Sequence, residues 1–158
     1  MSGKINNFSI IIPFKTGKLY LLDCLQSVLA QDYPHYEIIV LADITSNTDD
    51  ALHAIKDLNN PKISVQLSDK NLDILQNWGR IKDLDKKEYM TILGYDDILS
   101  TGFLTCINNL INTYPEASLY HTHFNYISSN SETIKKCQSL PTQMTASDYL
   151  EYTLKETI

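Results

Sequence analysis

Residues 8–13 read FSIIIP. The run has no alternation of polar and apolar positions, so it lacks a face to give to water, and Pro13 stops it. Such a segment reads as a strand buried on both faces, the kind found in parallel sheets. The next segment, LYLLDCLQSVLAQ (Leu19 to Gln31), sets Leu22, Leu25, Val28 and Leu29 on one helical stripe, and Pro34 follows it. EIIVLAD (Glu37 to Asp43) is a second buried strand, after which Thr48 caps a helix running to about Leu58 with Leu52, Ile55 and Leu58 inward. ISVQL (Ile63 to Leu67) is a third strand. A helix from about Leu72 to Leu84 carries Leu75, Trp78 and Ile81, and Met90 to Leu93 form a fourth strand. Ser100 or Thr101 starts a helix that packs Phe103, Leu104, Ile107, Leu110 and Ile111. A fifth strand is expected over Ser118 to Ile127 and a last helix over Ala146 to Leu154. Strands separated by helices in this rhythm predict an α/β domain with a mostly parallel sheet.

The chain has 158 residues, 43% of them hydrophobic and 20% charged, which suits one ordinary domain with its own core. Its formal charge of -6, with no dense Lys/Arg run, argues against a nucleic-acid partner. Cys24, Cys106 and Cys137 are odd in number and contain no CxxC, as expected of a reducing compartment without a structural zinc. Cys24 and Cys106 fall in apolar helical patterns and read as buried thiols. MSGKINNFSIIIP has too short an apolar run for a signal peptide or a membrane span. The expected location is therefore cytoplasmic, with peripheral association at the inner face of the membrane as the variant.

In open parallel sheets, ligands bind beyond the carboxyl ends of the strands. Asp43 ends the second strand, and Asp96 and Asp97 follow the fourth in YMTILGYDDILSTGFL (Tyr89 to Leu104), so the three acids share one rim. The five glycines form neither GxGxxG nor GxxxxGK[ST], which removes a dinucleotide fingerprint and a P-loop. Acids at strand ends can instead hold magnesium or manganese against a diphosphate. Adjacent acids also serve as solvated turns and helix caps, and the residues alone leave both readings open.

The order of four segments adds to this. FSIIIPFKTG, LLDCLQSVLAQDYPHYEIIVLAD with its Ser27-xxx-Gln31 turn, NLDILQNWGRI and EYMTILGYDDILSTGFL together resemble the family 2 glycosyltransferases. That resemblance implies the GT-A fold, a three-layer α/β/α sandwich around a mostly parallel sheet. It also implies a single glycosyltransferase-like domain over residues 1–158, with a nucleotide-binding portion at about 8–105 and a partial acceptor-side portion at 106–158. The implied donor is a nucleotide-diphospho-sugar, a UDP-sugar first among them. The implied acceptor is a glycan or other hydroxyl, the implied cofactor Mn2+ or Mg2+, and transfer inverts the sugar.

Residue by residue, Asp96 matches the metal-contacting acid of the family's aspartate motif. Asp97 matches the acid after it, and reads as support for the loop or the cap of the next helix sooner than as a second carboxylate at the metal. Gly94 stands where the motif commonly has its first acid, and Asp43 keeps one of two acids expected at the end of the second strand. Pro13 and Phe14 match the first nucleotide-side loop. Lys15 and Thr16 replace an aromatic residue and an asparagine, so Lys15 meets phosphate or lies at the surface. Asn77 orders the nucleotide-side loop or makes a local bond, Arg80 reaches the diphosphate or faces solvent, and Trp78 reads as a packing aromatic. Tyr95, inside the aspartate motif, is the best-placed ring to stack on a ligand.

His121 and His123, two apart in the expected fifth strand, would share a face and could join a metal or sugar site. No acid aligns with the general base that inverting members use; Glu132, Asp148 and Glu151 lie in the right half, and Asp148 reads more simply as a helix cap. The chain is accordingly expected to be the nucleotide half of a longer transferase or a short relative that binds without transfer. A cut edge would expose apolar surface and favour self-association. A receiver-type signalling domain is a poor fit, because Pro13-Phe14-Lys15 stands where such a domain needs an acidic pair.

Overall fold

The computed structural model describes residues 4–44 and 48–156. Strand β1 (Phe8–Pro13) has all six residues buried, as its unbroken apolar run requires. Its one polar side chain is satisfied: Ser9 Oγ donates to Glu37 Oε1 at 2.7 Å and accepts the Lys87 N–H at 2.9 Å. β1 lies between β2 (Tyr36–Ala42) and β4 (Tyr89–Ile92), and β3 (Ile63–Leu67) pairs with the far side of β2. All three pairings are parallel, and Ile11 stands opposite Ile39 on one side and Ile92 on the other.

The two-residue period of the strands sorts the core into two faces. Ile10, Ile12, Ile38, Val40 and Ala42 pack with Leu21, Cys24, Leu25 and Val28 of α1 (Lys18–Leu29). Ala51 and Ile55 of α2 (Thr48–Leu58) join the same core, as do Leu104, Ile107 and Ile111 of α4 (Phe103–Thr113). On the opposite face Ile11, Ile39 and Leu41 meet Ile81 and Leu84, around the 3-10 turn Arg80–Asp83 that follows α3 (Ile74–Gly79). The result is an α/β fold in which a four-stranded parallel sheet is packed on both faces.

The described residues divide into two compact units at Tyr120/His121. The second holds an antiparallel pair, β5 (Asn125–Ile127) with β6 (Thr133–Lys136), and α5 (Ala146–Glu156). Every residue of its two strands is exposed. Thr145 opens α5 with a reciprocal cap, accepting the Asp148 N–H at 3.2 Å and donating to Asp148 Oδ2 at 2.7 Å.

Several expected details change. The fifth strand over Ser118 to Ile127 is reduced to Asn125–Ile127 and pairs with β6, not with the main sheet. Tyr120 instead turns back on the end of α4, donating from its hydroxyl to the Tyr114 carbonyl at 2.7 Å. His121 and His123 therefore share no strand face. The helix over Leu72 to Leu84 is shorter, because a capping box between Asp73 and Gln76 starts it late and it tightens into the 3-10 turn after Gly79. Its expected apolar stripe fails at Leu75 (81% exposed) and Trp78 (44% exposed), since Asn77 takes the inward position. On α1, Leu21 and Cys24 are inward and Leu22 is only half-buried. Cys106 is exposed, two residues and so about half a turn from the buried Leu104 stripe.

Burial, not hydropathy, should then decide what truncation costs. Ile10→Ala is expected to destabilise by about 2–5 kcal/mol, whereas Leu75→Ala stays within about 0.5 kcal/mol. Urea unfolding followed by Trp78 fluorescence reads both; equal shifts in the two midpoints would contradict the packing described.

Candidate functional site

Because β1, β2 and β4 are parallel, their carboxyl ends reach the same edge of the sheet. Beyond β1, Phe14 donates its N–H to the Leu41 carbonyl at 2.8 Å, which keeps the Pro13–Thr16 loop against β2. Beyond β4, the Leu93 N–H reaches the Ile11 carbonyl at 2.9 Å before the chain turns through Gly94–Asp97, closed by the Asp97 N–H on the Gly94 carbonyl at 3.0 Å. The crossovers through α1 and α2 run outward to β3, and the chain then returns to the other side of β1. The rim beside β1 is thus the point where strand order reverses, the usual ligand crevice of an open α/β sheet.

Asp43, the first residue after β2, is 1% exposed. Its Oδ2 accepts the Leu72 N–H at 2.8 Å and pairs with Lys15 Nζ at 3.6 Å. Its Oδ1 is buried and has no hydrogen-bond partner among the described residues. Lys15 Nζ also donates to Asn71 Oδ1 at 3.0 Å and to the Leu72 carbonyl, so the lysine joins the loop after β1 to the loop after β3. A second brace lies beneath. Asn77 Nδ2 donates to the Leu41 carbonyl at 3.1 Å, and Asn77 Oδ1 accepts from Arg80 Nη1 at 2.9 Å. The Arg80 guanidinium also donates to the carbonyls of Ala42 at 3.0 Å and Gln66 at 2.6 Å. Arg80 is thereby tied to the ends of β2 and β3.

Asp96 and Asp97 are exposed at the end of β4, and both turn back over Gly94. A Cβ at position 94 would sit 2.6 Å from Asp97 Oδ2 and 3.1 Å from Asp96 Oδ1, so the two carboxylates converge where a side chain would stand. Partial burial raises the Asp97 pKa and the Asp96 charge raises it further, while a hydrogen bond with the Gly94 backbone opposes them. Cys24 lies below the pair with its thiol 3.5 Å from the Gly94 carbonyl. Burial, followed by the charges of Asp97 and Asp96, pushes its pKa up to about 12, so the thiol is neutral. No group of three or more His, Cys, Asp or Glu side chains gathers at one point among the described residues. Two converging carboxylates fit a hard divalent cation that takes its other oxygens from phosphate and water.

Two residues that matter here carried no chemical argument in the sequence. Ser27 Oγ accepts the Leu99 N–H at 3.0 Å and donates to the Cys24 carbonyl at 2.7 Å. Gln31 Nε2 donates to the Ser100 carbonyl at 2.8 Å, and its Oε1 accepts the Leu104 N–H at 3.0 Å. Together they fasten the chain just after the acid pair to α1. The Ser27-xxx-Gln31 spacing was the available signal, although α1 ends at Leu29 and Gln31 lies just past it.

Tyr95 packs edge-on against Phe14, with ring centroids 5.6 Å apart, and its Cε2 would be 3.1 Å from a Cβ on Gly17. Gly17 has φ of 92°, so glycine serves there both for its backbone and for its lack of a side chain. Phe14 is buried under the tyrosine, which makes it a support for that ring, and Pro13 is the buried last residue of β1. Within the second unit, His121 lies against Tyr149 with centroids 5.4 Å apart and His123 Nε2 accepts the Leu140 N–H at 3.3 Å. An open pocket of about 390 Å³ lies away from the rim, along the free edge of β4, lined in part by Tyr89, Ile92, Phe103 and Leu119.

Acids beyond the strand ends at the switch point of a parallel sheet stand where open α/β domains bind their ligands. The family described as glycosyl transferase family 2 matches residues 9–154, and the chain belongs to it. Among solved structures, S. aureus TarS 1–349 superposes with a TM-score of 0.61 at 21% identity, over 69% of this chain and 33% of that one. The same protein in complex with UDP-GlcNAc gives 0.60 at 20%, over 69% and 32%. The mannosyltransferase PcManGT from Pyrobaculum calidifontis, in complex with GDP-Man and Mn2+, gives 0.60 at 14%, over 73% and 34%. Uncharacterized protein y4gI of Sinorhizobium fredii is 23% identical over 117 residues, which are 72% of this chain and 13% of that protein. The chain therefore spans about a third of these structures and a smaller part of the curated relative. No helix among the described residues is long and apolar enough to cross a membrane.

The neutral, buried Cys24 should be inert in the native state. With its pKa near 12, only about one thiol in ten thousand is ionised at pH 8. Iodoacetamide at that pH should modify exposed Cys106 and spare Cys24 until urea is added, as read by peptide mass spectrometry. Labelling of Cys24 at the rate of Cys106 would show that the thiol is accessible.

Proposed function

We propose that this chain binds a nucleotide-diphospho-sugar at the carboxyl rim of β1, β2 and β4 and serves the transfer of its sugar to a hydroxyl acceptor. The observation that carries the reading is that buried Asp43, with one oxygen open, follows β2 and the convergent Asp96 and Asp97 follow β4, at the same carboxyl edge of the sheet. Asp43 would meet the nucleoside end of the ligand and Tyr95 would offer a ring face. Asp96, with Asp97 beside it, would hold Mn2+ or Mg2+ against the diphosphate. A divalent cation bound there would stabilise the negative charge that develops on the departing diphosphate. Pro13, Phe14, Asn77 and Arg80 would act through the backbone, holding the loops at their heights. Membrane-surface attachment and self-association are further properties to which the exposed apolar residues Ile74, Leu75 and Trp78 of α3 could contribute.

One observation favours a second reading, in which this portion binds the donor without completing transfer. An inverting transfer needs a carboxylate to take the acceptor proton. Asp148, an acid in the later part of the chain, is engaged in the cap of α5 with Thr145. Sugar transfer by this chain, measured beside a version extended by its gene's downstream sequence, separates the two; turnover by the shorter chain alone would remove the binding-only reading.

Calorimetry with a nucleoside diphosphate, with and without Mn2+, tests the site. Binding should be metal-dependent, and Asp96→Ala should weaken it by at least tenfold, or about 1.4 kcal/mol. Equal binding by Asp96→Ala, or binding indifferent to metal, would sink the assignment. Gly94→Ala adds a methyl 2.6 Å from Asp97 Oδ2 and must push that carboxylate aside. It should lower Mn2+ affinity, read by the electron paramagnetic resonance of free Mn2+, while the thermal midpoint stays within about 2 °C. Unchanged Mn2+ affinity would mean that Asp97 takes no part.

A further inference from the structure

We infer that Gln31 is a positioning residue for the acid pair: its amide fixes the far end of the loop that presents Asp96 and Asp97, and so sets the affinity for the divalent cation they would hold. The inference rests on the proposed metal site and names a residue outside it that governs its geometry. The loop leaves β4 at a fixed point, where the Leu93 N–H meets the Ile11 carbonyl at 2.9 Å. It ends at α4, which starts without help from its own sequence, because Gly102 stands at the cap with no side chain to offer and no acid lies in the first turn. The first N–H groups of a helix need partners from elsewhere. The residues just past α1 supply them. Gln31 Oε1 accepts the Leu104 N–H at 3.0 Å, and Asp32 Oδ1 accepts the Thr105 hydroxyl at 2.6 Å. The Asp32 N–H donates to the Thr101 carbonyl at 3.1 Å.

Gln31 adds what a cap alone would not. Its Nε2 donates to the Ser100 carbonyl at 2.8 Å and to the Ser27 carbonyl at 3.1 Å. Both amide hydrogens and the amide oxygen are thus in use, and only this orientation of the amide matches donors with acceptors. One residue earlier, Ser27 Oγ accepts the Leu99 N–H at 3.0 Å. Leu99, Ser100 and Thr101 are therefore tied in succession to Ser27, Gln31 and Asp32, just beyond the acid pair. Asp96 and Asp97 are themselves exposed, so their aim comes from the backbone that carries them. A small, hard cation is sensitive to that aim, because it binds carboxylate oxygens at closely defined distances and angles. Loss of the Ser100 tie gives the loop freedom that cation binding must then remove.

Two substitutions separate this tie from the cap. Gln31→Glu keeps an oxygen for the Leu104 N–H but has no hydrogen for the Ser100 carbonyl, whereas Gln31→Met loses both. Mn2+ binding to this chain, read by the electron paramagnetic resonance of free Mn2+, should weaken about tenfold in each, the low end of what is lost when a group holding a metal ligand in place is removed. The added charge of Gln31→Glu would by itself attract the cation, so a fall there reports position. Thermal unfolding should place Gln31→Glu nearer the native midpoint than Gln31→Met, because an acceptor for the Leu104 N–H remains. Ile55→Val, a truncation in the core on α2, lowers the midpoint as well and should leave Mn2+ affinity unchanged. A residue that only stabilised the fold would give Mn2+ losses that follow the midpoints, greatest in Gln31→Met and present in Ile55→Val. That pattern, or native Mn2+ affinity in Gln31→Glu, overturns the inference and leaves the metal site standing. Should Gln31→Met fail to fold, the comparison of Gln31→Glu with Ile55→Val carries the test. Absence of Mn2+ binding by the native protein would remove the metal assignment, and this inference with it.

Discussion

The structure depends on β1 being used up on every side. Both of its edges carry parallel partners and all six of its residues are buried, so the strand has no freedom to shift register or tilt. A slip of one residue would send Ile10 and Ile12 to the thinner face and Ile11 into the larger core, reversing two cores together. The position of the Pro13–Phe14 end follows from this. The height of β2 and β4 beside it is fixed by the same pairings, Pro13 with Leu41 and Ile11 with Ile92. The rim is where three registered strands stop.

Around that rim the side chains that hold the loops bond to backbone, which makes them insensitive to the identity of their neighbours. Asn77 and Arg80 reach the carbonyls of Leu41, Ala42 and Gln66. Gln31 reaches the Ser100 carbonyl and the Leu104 amide. These contacts join strand ends and loops far apart in sequence, and they leave Asp96 and Asp97 free to face outward. The division between braces and presented groups corrects a simple reading of the motif segments. A polar residue within a motif is as often the fastening of a loop as its chemistry, and only burial and partners tell them apart.

Most of the frame was legible because β1 and β2 have no polar face and β3 has turn signals at both ends. FSIIIP and EIIVLAD could be little else, and the acids after them fell on the rim by the parallel-sheet rule alone. The failures have a common cause. Leu75 and Trp78 have helical spacing, yet a capping box and a tight 3-10 turn cut the helix to six residues and rotated Asn77 inward. Ser118 to Ile127 has strand-like composition, but strand pairing depends on what is available to pair with, which periodicity does not report. Cys106 followed the same pattern, with the right helix and the wrong face. The open oxygen of Asp43 and its link to Lys15 could not be read at all, because the two residues are 28 positions apart in the chain and only the fold brings them within 3.6 Å.

The charges of the rim supply a constraint of their own. Asp96 and Asp97 are exposed and converge over Gly94, and partial burial, followed by the Asp96 charge, raises the Asp97 pKa. A diphosphate brought to the same place adds negative charge at distances where unlike charges attract and like charges repel by several kcal/mol at protein-surface dielectric, about 4 kcal/mol per pair at 4 Å. Of the cations that brace the rim loops, Arg80 is bonded to three carbonyl or amide oxygens and Lys15 to Asp43, Asn71 and Leu72. Neither can move to the acid pair without breaking the braces that shape the rim. Neither brace therefore supplies the positive charge that a diphosphate beside the acid pair requires. A divalent cation meets that need because it binds the carboxylates and the diphosphate through the same kind of oxygen. On this argument Gly94 is no defect in the motif. It removes a third carboxylate from a position already filled by two, and lets Asp97 fold into the space that an aspartate there would occupy.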